Sequence, residues 1–287
     1  MDFRTDLALE RREISENISG ISCDTEKRGS CKITRIKVET EEGAEKIGKP
    51  IGNYITIEIS SFSKAGEIFD EKLKTVSDEL TKLIPEKGTV LVVGLGNKNI
   101  TPDCLGPECV SQLLATRHIT DEIAKSMGLG KLRSVAAVAP GVLGQTGIET
   151  VEIISGVVKT VKPVAVITVD ALASRRVQRL GRTIQICDTG ISPGSGVGNA
   201  RAKIDEKTLG VPVISIGVPT VVDAATLVYD VSDGKAQVSE DNEFAQMMVT
   251  PKEIDLLSQR AAKTVAMAIN ASLQSNLPIE DILTLLA

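Results

Sequence analysis

The sequence predicts an α/β fold, a doubly wound, mostly parallel sheet flanked by helices, and two patterns carry that prediction. Continuous β-branched runs recur through the centre of the chain: Thr89-Val90-Leu91-Val92-Val93-Gly94, Val135 to Val138, Val164 to Val169 and Val211 to Val218, with Thr183 to Cys187 weaker. Such runs belong to strands covered on both faces. Between them apolar residues step by three or four, as in Ile148, Val151, Ile154, Val158 and Val161. Buried strand alternating with helix is the pattern of a parallel sheet.

The elements follow in order. Residues 1–62 are polar and carry two runs of period-two alternation, Lys32 to Val38 and Tyr54 to Ile59. These predict half-exposed strands, forming a small β addition to the main sheet. Residues 63–287 read as the main α/β unit, with one compact body expected overall. It opens with Ile68, Phe69, Leu73, Val76, Leu80 and Leu83 at helical spacing up to Pro85. Residues 230–246 lose periodicity and read as a surface loop. In Thr250-Pro251-Lys252-Glu253 the threonine is placed to cap the last long helix, with proline at its first position and Glu253 completing a capping box. The apolar face of that helix is Ile254, Leu257, Ala261, Val265, Ala268 and Ile269.

Composition narrows the function. The chain has 287 residues, 42% hydrophobic and 25% charged, with 4 Phe, 2 Tyr and no Trp. The core is therefore aliphatic, and an aromatic platform for single-stranded nucleic acid is not expected. A net charge of −5 argues against nucleic-acid or anionic-membrane partners. No stretch approaches the roughly 20 apolar residues of a membrane span. The N-terminus Met-Asp-Phe-Arg-Thr-Asp lacks an apolar signal core, so a cytoplasmic enzyme is expected. Cys23, Cys31, Cys104, Cys109 and Cys187 form no CxxC and read as reduced thiols. His118 is the single histidine, so any Ser–His or Cys–His mechanism must use it and a multi-histidine metal site is impossible. Neither a metal nor a cofactor is expected.

Ligands of open α/β sheets bind outside the carboxyl ends of the strands. There the sequence offers Gly94-Leu95-Gly96-Asn97 leading to Thr101-Pro102-Asp103, Asp170 directly after Val169, Asp188, the loop Pro193-Gly194-Ser195-Gly196-Val197-Gly198-Asn199, and Gly217 to Asp223. Two carboxylates held close cannot both ionise easily. The ionised one can take a proton from water while the protonated one polarises a carbonyl, and Asp103 with Asp170 is the pair expected to do so. The bland alternative stays open: Thr101-Pro102-Asp103 also has the form of a helix start, and Asp170 that of a helix cap. Gly94-x-Gly96 hints at a dinucleotide site but Asn99 stands where a third glycine is required. His118, beside Arg117 near a helix end, suits the helix dipole. Ser195 with His118 has no nucleophile-elbow pattern behind it.

Several of these strings are long and specific together. Val92-Val93-Gly94-Leu95-Gly96-Asn97, Thr101-Pro102-Asp103-Cys104-Leu105-Gly106-Pro107, Pro140-Gly141-Val142, Thr146-Gly147-Ile148-Glu149-Thr150, Asp170-Ala171-Leu172-Ala173, Pro193 to Asn199, Ile216 to Ala224 and Met248 to Glu253 resemble the germination protease family of endospore-forming bacteria. The resemblance implies a fold related to the hydrogenase-maturation peptidases and a catalytic pair on Asp103 and Asp170. It implies small acid-soluble spore proteins as substrate, and a tetrameric zymogen of the spore core that removes its own N-terminal segment. Such enzymes cut after an acidic residue and before a hydrophobic one followed by alanine. Thr5-Asp6-Leu7-Ala8 has that form, so Asp6–Leu7 is the expected cleavage bond. The loops carrying Gly96, Asn97, Gly194, Ser195 and Gly196 are expected to grip the substrate. The segment before Asp6 is short for the family, and residues 224–247 are abbreviated. Two other readings remain beside the peptidase: a metal-dependent hydrolase with Asp103, Asp170 and His118 as ligands, and a nucleotide-binding protein using Gly94 and Gly96.

Overall fold

In the computed structural model, which describes residues 4–14, 19–62, 71–198, 201–232, 234–236, 238–239 and 242–286, every described strand joins one nine-stranded sheet. The strands are β1 (Ile21–Arg28), β2 (Cys31–Val38), β3 (Gly52–Glu58), β4 (Val90–Gly94), β5 (Val135–Val138), β6 (Ala165–Ser174), β7 (Thr183–Cys187), β8 (Val213–Asp223) and β9 (Met248–Val249). Their order is β1-β2-β3-β7-β8-β6-β4-β5, with β9 added to the far end of β8. The aliphatic strands β5, β4, β6 and β8 are parallel. The remaining pairings are antiparallel. The N-terminal strands therefore extend the central sheet, through β3 pairing with β7.

The helices are α1 (Ala8–Ile14), α2 (Glu41–Ile47), α3 (Glu71–Thr81), α4 (Leu105–Val110), α5 (Asp121–Ser126), α6 (Leu143–Thr146), α7 (Thr150–Val161), α8 (Glu206–Leu209), α9 (Ala224–Val231), α10 (Ile254–Leu273) and α11 (Ile279–Leu286). Alternation along the strands sends successive side chains to opposite layers. Val90 and Val92 of β4, with Ile167 and Val169 of β6, pack against α3, α4 and α10. Leu91, Val93 and Val166 face the other way, against Ile154 and Val158 of α7 and Leu209 of α8. A third cluster covers the antiparallel half: Ala8 and Leu9 of α1 and Ile47 of α2 on Ile36, Val38, Tyr54 and Cys187. Each such aliphatic side chain, taken wholly out of water, contributes about 1.5–3 kcal/mol. All five cysteines are free.

Several boundaries differ from expectation. Asp170 does not follow its strand but lies inside β6, because pairing with β8 continues to Ser174 through a register shift between Leu172 and Ala173. It therefore caps no helix. Likewise β8 runs on to Asp223, whose carboxylate caps α9 by accepting from the Thr226 N–H at 2.9 Å. The last long helix begins at Ile254 after Glu253, not at Pro251 after a Thr250 cap. Pairing of Met248 and Val249 with β8 keeps the chain extended, Pro251 to Ile254 forms a turn, and the Thr250 hydroxyl finds no hydrogen-bond partner among the described residues. His118 sits in an exposed turn between α4 and α5 rather than at a helix end. Ile68 and Phe69 of the expected early helix lie outside the described residues, as does Asn199.

Candidate active site

A row of paired residues across three strands underlies the site. Asp170 of β6 stands opposite Gly217 of β8, and Gly217 stands opposite Gln185 of β7. Paired residues share a face of the sheet, and here it is the face of Val166 and α7. Because Gly217 has no side chain, Asp170 and Gln185 flank a gap two strand spacings wide, about 10 Å between their backbones. Leu172 lies over that glycine: a Cβ added there would fall 2.6 Å from its Cγ.

Asp103 reaches the same region from the end of β4. Thr101–Asp103 is a single 3-10 turn with Pro102 in its first positions, so the helix-start reading holds in part. The turn is pinned from two sides, by the Thr220 hydroxyl donating to the Pro102 carbonyl at 2.7 Å and the Ser258 hydroxyl donating to the Thr101 carbonyl at 3.2 Å. The Asp103 carboxylate accepts from the Asn97 N–H at 2.7 Å. Gly96 makes this approach possible. Its φ is +113°, and a Cβ there would lie 2.1 Å from the Asp103 carbonyl oxygen. The space beside Gly94 is filled likewise by the Gly106 carbonyl, at 2.2 Å from an added Cβ. These glycines admit the chain's own backbone, which removes the geometric basis for a dinucleotide cradle.

Burial pushes the Asp170 carboxyl well above the ordinary range, and the charges of Asp103 and Asp6 push it further. Only the Ala171 N–H, donating at 2.9 Å, opposes them. Asp103 is raised too, by burial, against the Asn97 N–H. The charge of Asp103 thus acts on Asp170, whose carboxyl is the more strongly raised of the two.

The third charge is the informative one, because the chain's own N-terminus lies across the site. Asp6 is bound to Ala173 of β6 through one backbone hydrogen bond, its N–H donating to the Ala173 carbonyl at 2.9 Å. Its side chain accepts from the Ala173 N–H at 2.8 Å and from the Ser195 hydroxyl at 2.9 Å. Its carbonyl oxygen accepts from Gln185 Nε2 at 3.0 Å and Lys49 Nζ at 2.9 Å. The Leu7 N–H turns back to the Thr5 hydroxyl at 3.1 Å, and Leu7 is fully buried. Around this segment lies a cavity of about 380 Å³, lined among others by Asp6, Lys49, Leu172, Gln185, Ser195 and Gly217.

The expected site residues thus fall into two groups. Ser195 touches Asp6, and Gly196 packs so closely on it that a Cβ would meet its carboxylate at 2.2 Å. Gly194, with φ +74°, shapes the turn that presents them. Gly96 and Asn97 instead support Asp103, and Asn97 accepts from Gln145 at 2.7 Å. Other carboxylates expected on that rim do not join: β7 runs antiparallel to β8, so Asp188 after it lies towards the start of β8 and not at the carboxyl rim. Asp188 binds Asn53, Asp223 caps α9 and pairs with Arg4 at 3.3 Å, and His118 is exposed elsewhere. Among the described residues no three His, Cys, Asp or Glu side chains gather as a metal site would require. The sequence reading missed Gln185 and Lys49. Gln185, a polar residue inside the buried strand Thr183–Cys187, carried a signal; Lys49 carried none.

Comparison with known sequences gives one consistent answer. The family model described as germination protease matches residues 2–234. The germination protease of Caldanaerobacter subterraneus subsp. tengcongensis is 45% identical over 321 residues, spanning all of this chain and 98% of that one. That of Clostridium acetobutylicum is 44% identical over 97% of each chain. The germination protease of a Geobacillus strain is 46% identical over 80% of this chain and 66% of its own. Among solved structures, the [NiFe] hydrogenase maturation protease HycI from Thermococcus kodakarensis KOD1 matches with a TM-score of 0.40 and 18% identity, over 68% of this chain and 98% of that one.

Proposed function

The chain belongs to the germination protease family, and on that premise we propose that it is an endopeptidase that begins the degradation of small acid-soluble spore proteins at germination. It acts within the spore core, is made as a zymogen that cuts its own Asp6–Leu7 bond, and assembles as a tetramer. One observation carries the self-processing reading: Asp6 is held by Ser195 and Ala173 with its charge felt at Asp170, an acidic residue seated where a substrate's would be. Asp6 with its neighbours Thr5 and Leu7 suffices to block such a site when it lies there as substrate does.

Asp103 and Asp170 divide the chemistry. Asp103, the less strongly raised of the two, serves as the base that takes a proton from water as its oxygen attacks the Asp6 carbonyl carbon. Asp170, kept protonated, is the acid of the pair. Ser195, Gly196 and the backbone of Ala173 select the acidic residue before the cut. Gly194 holds that loop, while Gly96 and Asn97 position Asp103. No described helix is long and apolar enough to cross a membrane.

Asp103→Asn and Asp170→Asn are each expected to lower the cleavage rate of a purified small acid-soluble protein by about 10²–10⁴-fold, the usual worth of a general acid or base. Wild-type rates in either variant exclude the pair. Light scattering of the same preparations is expected to give the mass of four chains, and a monomer mass refutes the tetramer.

A further inference from the structure

Gln185 straddles the Asp6–Leu7 peptide. Its Nε2 donates to the Asp6 carbonyl oxygen at 3.0 Å, and its Oε1 accepts from the Ala8 N–H at 2.7 Å, so backbone on both sides of the bond fixes which way the amide faces. Lys49 reaches the same carbonyl oxygen from the opposite element. It follows the left-handed Gly48 that ends α2, and its Nζ donates at 2.9 Å. A carbonyl oxygen has two lone pairs, and both are used here. Neither donor is a passing surface group. Gln185 is 7% exposed within β7, in the row that Gly217 leaves open beside Asp170. Lys49 lines the same cavity.

We propose that Lys49 and Gln185 are catalytic residues that hold the carbonyl oxygen of the bond to be cut and the negative charge it gains during attack. This rests on the reading of Asp6–Leu7 as the cleaved bond. A hydrogen bond made equally in ground and transition states accelerates nothing. Burial pulls the Lys49 pKa below the ordinary lysine value while the Asp6 charge opposes that shift; as the oxygen changes from a carbonyl to an oxyanion, this amino group and the Gln185 amide, both already in place as donors, gain strength without having to reorient. Water oxygen bonds to the carbonyl carbon while Asp103 takes its proton, and the π pair moves onto the oxygen held by Lys49 and Gln185. Collapse restores the carbonyl and breaks the C–N bond, and the Leu7 nitrogen leaves with a proton from Asp170. The protonated carboxyl is thereby freed from polarising the carbonyl to serve the leaving group. The same amide of Gln185, through its bond to the second N–H beyond the cut, sets the register of any extended substrate.

The test is the first-order rate at which the full-length chain releases residues 1–6, followed by intact mass. Lys49→Met removes one donor. Gln185→Glu keeps an acceptor for the Ala8 N–H but withdraws the other. Both are expected to process about 100-fold more slowly or worse, with unchanged melting temperature, and Lys49→Arg is expected to recover at least about a tenth of the wild-type rate. A wild-type rate in either Lys49→Met or Gln185→Glu overturns the pair while leaving the cleavage reading intact. Failure of the wild-type chain to release residues 1–6 overturns the cleavage reading, and the proposal with it.

Discussion

At the scale of single residues, two carboxyl groups behave differently because one lies in the sheet and the other on a turn. Asp170 is 6% exposed and surrounded by negative charge, so its folded-state pKa lies above its unfolded value. The folded chain then holds a proton that the unfolded chain has lost, and stability falls as pH rises from the unfolded pKa towards the folded one. Asp170→Asn removes that cost while keeping an acceptor for the Ala171 N–H. The unprocessed variant is expected to melt with wild type at about pH 4 and above it at neutral pH, by about 2–3 °C for each kcal/mol regained. Equal melting temperatures across this range in a pH series of thermal scans would place Asp170 in a wetter, less charged setting. As candidates Asp170 and Asp103 stood out in the sequence, the first as a polar residue directly after an aliphatic run and the second within Thr101-Pro102-Asp103 on the segment that follows one. Lys49 did not, since a lysine beside proline after a helix is ordinary, and only the folded chain brings it to Asp6.

At the scale of elements, α1 is what keeps Asp6 in place. Its residue Glu10 is 1% exposed, yet it accepts from the Arg175 N–H at 2.6 Å, the Arg176 N–H at 3.0 Å and the Arg179 guanidinium at 2.9 Å, and from the Thr5 hydroxyl. One carboxylate therefore fastens both the helix and the segment before it to the loop that follows β6. Removing Glu10 leaves Arg179 its ion pair with Glu13 but strands the Arg175 and Arg176 N–H groups, at about 1–3 kcal/mol each. Glu10→Ala is expected to lower amide protection across Ala8–Ile14 by about 100-fold in hydrogen exchange while the central strands keep theirs. Undiminished protection would mean that α1 is held by its apolar face and by the ion pairs of Glu13 with Arg176 and Arg179 instead. Neither α1 nor β1 showed in the sequence. β1 is Ile-Ser-Cys-Asp-Thr-Glu-Lys-Arg, a charged edge strand whose alternation is diluted by the polar residues that guard such edges. The late start of α10 was hidden for another reason: pairing of β9 with β8 overrode a local capping pattern.

At the scale of the whole molecule, the parallel centre was legible because strands buried on both faces must be aliphatic, and few other elements look like them. The way the antiparallel half attaches was not. It depends on β7, a short run that pairs β3 on one side and β8 on the other. That attachment matters, because the candidate site draws on both halves: Asp170 from β6, Asp103 from the turn after β4, Gln185 from β7, and Lys49 and Asp6 from the region before β3. The central claim is that this assembly cuts the chain's own Asp6–Leu7 bond with the two aspartates. Intact mass of wild type, Asp103→Asn and Asp170→Asn after parallel incubation tests it most directly. The account predicts that wild type loses residues 1–6 and both variants keep full length while remaining folded. Loss of residues 1–6 from either variant, or a wild-type cut at any other bond, would contradict it.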